Sequence, residues 1–342
     1  VTAQADSDSQ GTARAILEAA AATLCPEAIL DPTGIADPLD GPLAGFSVAA
    51  VTDRGPPNDW RQRELRLEGG ADEHTLVVTA TRAAGSLRRV TFEVHDLALD
   101  RPLMVVLAGG DCLPQHARAI RYGVDGVAEE LVLFDADLTT VQAVEPLNPP
   151  LPEGTDPGGV TVAHIDSGVN YLLPEIAARL ARDKDGTFLG LDLWDDDGRP
   201  FDGDTGRSPF FPIRHGTPVA SLLVKEAPGV RLLPIRYPRP DLARMAEAVE
   251  TAAATGARIV VMPLGSRAKD DWAPFAAAAA AHPELLFVVS AGNDGRDIDA
   301  APVYPAGLAL DNMVVVTSAD DFGRLAEGSN WGRVSVDLMV PG

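Results

Sequence analysis

The sequence predicts an α/β domain built on a parallel sheet with helices on both faces, preceded by a smaller α+β domain. After residue 159, short apolar runs alternate with amphipathic helical segments. Such alternation is typical of strands joined by right-handed helical crossovers, which make the sheet parallel. Before residue 147, β-branched runs follow one another without intervening helices. We therefore expect an α+β domain at 1–146 and an α/β domain at 160–342.

The segment between the two domains is rich in proline and glycine. It covers residues 147–159 and reads Leu-Asn-Pro-Pro-Leu-Pro-Glu-Gly-Thr-Asp-Pro-Gly-Gly. Proline fixes φ and removes a hydrogen-bond donor, whereas glycine loosens the chain that follows. The composition therefore predicts a linker at 147–159.

The predicted N-terminal domain begins with an alanine-rich helix at 11–24. Gly85-Ser86 predicts a turn between two strands. Apolar and β-branched runs predict strands at 75–81, 88–94, 103–108 and 131–134. None of these segments carries a motif with a recognisable chemistry, so the role of this domain cannot be inferred from its residues alone.

The predicted C-terminal domain follows the alternating pattern to the end of the chain. Its predicted strands are 160–165, 230–235, 258–262, 285–290 and 312–317, and its predicted helices are 174–181, 241–254 and 272–281. In open parallel sheets, functional residues lie at the carboxyl ends of the strands. Asp166 and Asn293 both follow a predicted strand closely, so these two positions are candidates for chemistry.

The charge of the chain is strongly acidic. The 50 acidic residues outnumber the 28 basic residues, which gives a net charge of −22. This balance argues against a nucleic-acid partner and against docking on anionic membranes. No run approaches the roughly 20 apolar residues of a membrane-spanning helix. The acidity is explained by solubility, with a preference for basic substrate segments as the alternative.

The two cysteines, Cys25 and Cys112, both precede the motif-bearing half of the chain. Two cysteines are too few for a disulfide framework. No signal-peptide pattern opens the chain, which favours a cytoplasmic location. Secretion remains an alternative, because a chain that starts at Val1 rather than at a methionine has lost residues that could include a signal.

Three short motifs in the second half carry polar residues suited to catalysis. They are Val-Ala-His-Ile-Asp-Ser-Gly with Asp166, His-Gly-Thr-Pro-Val-Ala-Ser with His215, and Val-Val-Ser-Ala-Gly-Asn-Asp with Asn293. Each residue alone also fits a structural role: an aspartate that caps a turn, a surface histidine at a helix start, and an asparagine in a turn. Their conjunction and order make the catalytic interpretation specific. Gly216, after His215, would allow a substrate backbone to approach closely.

Together the three motifs resemble those of subtilisin-like serine proteases, which place the aspartate before the histidine. The resemblance covers about residues 159–342. Further segments that resemble the family are 231–236, 261–265, 304–306, 311–316, 329–332 and 336–342. The chain departs from the family pattern at Pro218, which replaces a second histidine, and at Pro263, which replaces a serine and removes a backbone donor.

The resemblance implies a serine endopeptidase with a defined division of roles. His215 would act as general base and then general acid, Asp166 would orient it, and Asn293 would donate to the oxyanion. Pro263, Leu264 and Gly265 would pair with an extended peptide or protein substrate as an added strand. The family also implies two alternatives for residues 1–146: an inhibitory pro-region that assists folding, or an accessory and regulatory domain.

The family's catalytic serine lies in a Gly-Thr-Ser segment beyond Val340-Pro341-Gly342, so the catalytic domain is expected to be incomplete at its C-terminal end. Ser167, Ser266 and Ser329 are poor substitutes in sequence. We expect a C-terminal fragment or a second chain to carry the serine. The alternative is an inactive subtilisin-like scaffold that binds a peptide or protein partner.

An acidic loop between Asp195 and Asp204 raises the question of metal binding. Clustered carboxylates and glycines suit Ca²⁺, and subtilisin-like proteases often bind this ion. The spacing differs from that of an EF-hand, however, and a solvated acidic loop explains the segment more simply. We therefore predict no required cofactor and no metal site, and we keep Ca²⁺ as the alternative.

Overall fold

The computed structural model of the chain describes residues 2–56, 59–70 and 73–341. The chain forms two compact units. The first comprises Val1–Asn148 together with Ser208–Phe211, and the second comprises Pro149–Arg207 and Pro212–Gly342. The first unit therefore ends inside the segment predicted as a linker, and it also takes in a short segment from the second half of the sequence.

The first unit is an antiparallel sheet with a long helix packed on one face. The eight strands pair in sequence order, from β1 to β8. Leu65 and Leu67 alternate with charged residues along one strand, and this period of two turns both leucines into the core. The helices and strands are α1 (Thr2–Leu24), α2 (Glu27–Leu30), β1 (Ser47–Arg54), β2 (Gln62–Gly69), β3 (His74–Ala83), β4 (Ser86–Asp96), β5 (Arg101–Gly109), β6 (Pro114–Tyr122), β7 (Ala128–Phe134) and β8 (Val141–Pro146).

The turn between β3 and β4 differs from the predicted one by one residue. Ala84 and Gly85, rather than Gly85 and Ser86, form it, and their φ angles are 51° and 76°. Two successive positive φ angles are typical of a type I′ turn, whose twist matches that of the flanking strands. Gly85 does lie in the turn, as predicted, but it is the second residue of the turn rather than the first.

The opposite face of the sheet is covered in part by the segment Ser208–Phe211. Phe210 is fully buried in a cluster with Val105, Leu107, Ile120 and Leu131. Arg118 donates from Nη1 to the Phe210 carbonyl oxygen at 3.0 Å, which satisfies a backbone acceptor of the segment. The insertion was not predicted, because the segment is separated in sequence from every strand it packs on.

The second unit contains a seven-stranded parallel sheet in the order β10-β11-β9-β12-β13-β14-β15. The parallel sheet with helices confirms the predicted fold class. The elements are β9 (Val160–Asp166), α3 (Pro174–Ala177), β10 (Leu191–Asp192), α4 (Gly216–Glu226), β11 (Val230–Arg236), α5 (Met245–Ala254), β12 (Ile259–Met262), α6 (Ala273–Ala281), β13 (Leu286–Ser290), β14 (Met313–Ala319) and β15 (Leu338–Pro341).

Helix α3 is shorter than the helix predicted at 174–181. The chain leaves the helix after Ala177 because the following residues add to the sheet: the Leu232 amide donates to the Arg179 carbonyl, and the Ala181 amide donates to the Leu232 carbonyl. Backbone pairing with a neighbouring strand therefore overrides the local helical pattern.

The two faces of the parallel sheet differ in how well they are covered. On one face the row Met262, Val289 and Val315 is buried in the cluster that includes α5 and α6. On the other face, β9 and β11 pack with α4, but the row across the later strands is only half-buried. We call this half-buried surface the open face; its residues are Ile259, Val261, Val288, Val314 and Val316.

No helix among residues 2–56, 59–70 and 73–341 is long and apolar enough to cross a membrane.

A disulfide links Cys25 and Cys112 in the first unit, with a Cα–Cα distance of 5.9 Å and a sequence separation of 87. The bond joins the chain after α1 to the turn after β5. Closing so long a loop restricts the unfolded chain more than the folded one, and native disulfides of this kind typically contribute about 2–4 kcal/mol.

We therefore expect the double variant Cys25→Ser, Cys112→Ser to lower the free energy of opening of the first unit by about 2–4 kcal/mol. Hydrogen exchange measured by mass spectrometry reports each unit separately, and peptides from the second unit serve as the internal control. Reductant should have the same effect on the natural chain and none on the double variant. Equal exchange in the first unit of both proteins would contradict the prediction.

Candidate active site

Asp166 is the last residue of β9, at the carboxyl end of the parallel sheet. Its side chain is buried, and its Oδ1 accepts from the Ser167 amide at 2.7 Å. Gly168 follows with a φ of 106°, in the left-handed region that favours glycine. The chain therefore turns sharply after the strand and leaves the carboxylate at the edge of the sheet.

His215 precedes the first turn of α4 and meets Asp166. Its Nδ1 lies 2.9 Å from each carboxylate oxygen. A carboxylate partner at Nδ1 holds the neutral ring with its proton on that nitrogen, so Nε2 is left as the proton acceptor. The imidazole is 49% exposed, whereas the Asp166 side chain is 3% exposed. One polar pair thus combines a buried anion with an accessible base.

The pair shifts the pKa values of both groups in opposite directions. Burial raises the pKa of the Asp166 carboxyl, but the contacts from His164 and His215 outweigh burial and lower this pKa to about 2. The hydrogen bond to Asp166 raises the pKa of His215 above its ordinary value, against the opposing effect of burial. Both shifts favour the ion pair of the Asp166 carboxylate and the His215 imidazolium.

Ser167 joins the end of β9 to the start of α4 and is not placed for attack. Its Oγ accepts from the amides of His215 and Gly216 at 3.2 and 2.9 Å, and it donates to Asp202 Oδ1 at 2.6 Å. Asp202 Oδ2 in turn accepts from the Thr217 amide at 2.7 Å. These contacts satisfy free amides at the helix start. Sequence reasoning missed this role of Ser167 and Asp202.

Gly216 serves the fold. A Cβ at this position would overlap the carbonyl oxygen of Gly168 and approach Asp166 Cβ to 3.1 Å. The glycine therefore lets α4 begin directly against the turn after β9. A close approach of the substrate backbone at Gly216 stays a prediction.

Asn293 lies in an exposed turn three residues after β13. Asn330, which is fully buried, holds this turn: its Oδ1 accepts from the amides of Asp294 and Arg296 at 2.9 and 3.1 Å, and its Nδ2 donates to the Ala291 carbonyl at 2.8 Å. The Asn293 amide is thus carried on a loop fixed at both ends. The Ser-Asn-Trp-Gly segment was noticed in the sequence, but not this function of its asparagine.

A cavity of about 260 Å³ lies beside Asn293. Its lining is mostly apolar and includes several residues of the open face. Among the lining residues are Val261, Pro263, Val288, Ser290, Asn293 and Val316.

The predicted substrate strand directly follows β12. Pro263 lines the cavity beside Asn293. Leu264 and Gly265 follow Pro263. The next residue, Ser266, pairs with Tyr304 through two backbone hydrogen bonds of 2.8 Å, one in each direction. A Cβ at Gly265 would approach the Tyr304 carbonyl oxygen to 2.7 Å, so the glycine permits this close pairing. Pairing of 263–265 with a peptide stays a prediction.

The acidic loop between Asp195 and Asp204 engages its carboxylates with other side chains. Asp195 pairs with Arg236, and Asp196 pairs with Arg244 at 2.7 Å. Asp204 accepts from the Tyr237 hydroxyl at 2.5 Å. Across the described part of the chain, no group of three or more potential ligands is gathered for a metal ion. Ca²⁺ would have to displace these partners in order to bind.

None of the three serines considered from the sequence is seen in contact with the His215 imidazole in the described ranges. Ser167 contacts only the backbone of His215. Ser266 accepts from Trp272 Nε1 at 2.9 Å, and Ser329 is buried beside the cavity. The structure therefore brings Asp166 and His215 together and holds these three serines in other contacts.

We expect Asp166→Asn to lower the pKa of His215, because the anion that stabilises the imidazolium is lost. In the natural chain, the protonated ring stabilises the fold fully below the pKa of the unfolded chain, and this contribution is lost as the pH rises through the raised folded-state pKa. NMR titration of the histidine ring protons measures the shift.

His282 is the internal control for this titration. It is a partly exposed histidine whose pKa is raised by hydrogen bonds to Glu284 and Glu250. Its pKa should be the same in both proteins. An unchanged His215 pKa in Asp166→Asn would contradict the pairing.

We expect Asn330→Ala to lower the free energy of unfolding by about 2–4 kcal/mol, because one buried and two partly buried backbone hydrogen bonds are lost. Asn312→Ala is a matched control: Asn312 Nδ2 also makes three hydrogen bonds, to the carbonyls of Ala279, His282 and Leu285. Denaturant unfolding should show a comparable loss in both variants. Faster hydrogen exchange at 291–296 should occur only in Asn330→Ala, and equal exchange in the two variants would refute the proposed role.

Comparison with known proteins is consistent with the sequence motifs. The thermophilic serine proteinase of Bacillus sp. (strain AK1) is 28% identical over 198 residues, which cover 54% of this chain and 44% of that protein. Halolysin of Haloferax mediterranei is 29% identical over 196 residues, which cover 54% of this chain and 35% of that protein. The chain thus spans less than half the length of either relative.

Solved structures with a similar fold include a lanthipeptide protease, with a TM-score of 0.42, 27% identity and coverage of 56% of each chain. The psychrophilic subtilisin-like protease Apa1 from Pseudoalteromonas sp. AS-11 has a TM-score of 0.39 and 19% identity, over 54% of this chain and 41% of that one. The model of the subtilase family, Peptidase_S8, matches residues 158–342. Since this match covers more than half of the chain, the protein belongs to the subtilase family of peptidases.

Proposed function

We propose that the protein is a serine endopeptidase whose Asp166 and His215 act with a serine supplied by a segment outside residues 1–342. The observation that carries this proposal is the contact of His215 Nδ1 with the buried Asp166 carboxylate at 2.9 Å. A buried carboxylate paired with an accessible imidazole orients the base that a serine nucleophile needs.

In the proposed reaction, His215 Nε2 takes the proton of the serine hydroxyl as the oxygen attacks the peptide carbonyl. The imidazolium that forms is stabilised by Asp166, and it then gives the proton to the leaving amine. Asn293, on the loop held by Asn330, donates to the developing oxyanion. A water molecule, deprotonated by His215, then attacks the acyl-enzyme ester, and the serine oxygen leaves as the proton returns to it. The steps use protein side chains, substrate and water, so the proposal includes no cofactor.

The open face supports the proposal of a missing segment. Parallel sheets are normally covered on both faces, yet the later strands are covered on only one. A helix on the open face would bury five half-buried β-branched residues, a gain on the order of 1 kcal/mol for each. The cavity beside Asn293 adjoins this face. We propose that the serine-bearing segment packs there, either after Gly342 or on a second polypeptide.

The proposed substrate is an extended peptide or protein segment that pairs with 263–265. The carbonyl groups of this segment remain acceptors even though Pro263 lacks a donor. For the first unit, we propose an accessory role or that of a pro-domain. The Cys25–Cys112 bond supports the secreted alternative for location, because such bonds persist in oxidising compartments.

The competing function is that of an inactive scaffold which binds a peptide or protein partner. The alternative differs from the peptidase in one measurable respect, because a scaffold without a nucleophile cannot react with an activated-serine reagent.

We expect a fluorophosphonate to label the natural protein on a serine outside 1–342, as measured by intact mass and peptide mapping. The 342-residue chain alone should take up no label. His215→Ala should abolish labelling, because the serine loses its base. Asn293→Ala should lower kcat for peptide hydrolysis by about 10²–10³-fold.

Gln142→Ala, in the first unit, is a control that should change neither labelling nor kcat. A natural preparation that carries no second segment and takes up no label would overturn the peptidase proposal. Retained peptide binding in such a preparation would favour the scaffold function.

A further inference from the structure

His164 is a buried histidine that the proposed mechanism does not use. It lies two residues before Asp166 on β9, so both side chains project to the same face of the sheet. Its side chain is 0% exposed, and its Nε2 lies 3.5 Å from Asp166 Oδ2. In the sheet register it pairs with Pro234 on β11 and with Val261 on β12.

The surroundings of His164 do not account for an imidazole. Neither ring nitrogen has a hydrogen-bond partner at ordinary geometry in the described ranges, although both are buried. Val162, on the same face, packs in an apolar cluster with α4. An aliphatic side chain at 164 would be buried without unsatisfied nitrogens. The polar contact that the structure offers to the ring is the one with Asp166 Oδ2.

The two oxygens of Asp166 are otherwise held unequally. Oδ1 accepts from the Ser167 amide at 2.7 Å, which fixes one end of the carboxylate. His215 Nδ1 is equidistant from both oxygens at 2.9 Å and so depends on the orientation of the carboxylate plane. The torsion that sets this plane is broad for aspartate. A donor on Oδ2 would fix the second end.

We propose that His164 is a positioning residue that donates from Nε2 to Asp166 Oδ2 and holds the carboxylate plane toward His215. At 3.5 Å the contact is longer than an ordinary hydrogen bond, as contacts at catalytic sites often are before substrate binds. The catalytic consequence rests on the proposed peptidase function, whereas the structural contact does not.

The proposal distinguishes a donor from a space-filling side chain. His164→Leu keeps an apolar side chain of similar size but removes the donor. His164→Gln places an amide N–H at a reach comparable to that of Nε2. His164→Asn is also polar, but its shorter side chain cannot reach Oδ2 in the same way. The Gln and Asn variants form a matched pair that does not depend on how well leucine is tolerated.

The first test is ¹⁵N NMR of histidine-labelled 342-residue protein and its three variants. The natural chain and His164→Gln should show His215 in one tautomer, with a proton on Nδ1 that exchanges slowly with water. His164→Leu and His164→Asn should show averaged His215 nitrogen shifts and faster exchange of that proton. His282 should be unchanged in all four proteins.

The second test is hydrolysis by the complete protein. We expect kcat to fall about 10- to 100-fold in His164→Leu with KM unchanged, because misplacement of a catalytic group affects the chemical step. His164→Gln should recover most of this loss. Identical His215 spectra in the Gln and Asn variants, or a His164→Leu protein with natural spectra, would overturn the proposal. Failure of the peptidase proposal would appear instead as absent fluorophosphonate labelling, which leaves the NMR result to decide the role of His164.

Discussion

The candidate site depends on one buried charge, the carboxylate of Asp166 at the end of β9. Burial by itself would keep this group protonated, since a charge removed from water is costly without partners. The lowered pKa of about 2 shows that the partners outweigh this cost. The turn at Gly168, the start of α4 and the ring of His215 all converge on the carboxylate. The local architecture can therefore be understood as a set of contacts that keep Asp166 ionised.

The candidate site residues could be proposed from the sequence. The residues that fix their positions through hydrogen bonds could not. Asp166, His215 and Asn293 sit in local motifs at the ends of regular elements, and local patterns are visible in one sequence. Asp202 accepts a hydrogen bond from the Thr217 amide, 15 residues along the chain. Asn330 donates to the Ala291 carbonyl, 39 residues away, and so holds the loop of Asn293. Such partners are set by tertiary packing, so a single sequence indicates only that a polar residue is present.

Strands were predicted well where they are continuous apolar runs. They were missed where polar or charged residues interrupt the apolar pattern. In the second unit, buried strands such as β9 and β11 are continuous apolar runs, which stand out between helices. In the first unit, β1 is exposed along its whole length and β2 alternates leucine with arginine and glutamate. These strands resemble loops in composition. Phe210 was missed because its partners on β5, β6 and β7 lie far away in sequence.

The two halves of the site differ in how much of their support lies within residues 1–342. Asp166 and His215 lie on β9 and at the start of α4, whose apolar residues pack together in one buried cluster. Asn293 instead lines the cavity beside the open face, among side chains that are only half-buried. A segment that packs on this face would change the surroundings of Asn293 more than those of the Asp166–His215 pair. The contact between Asp166 and His215 is therefore formed within residues 1–342, whatever covers the open face.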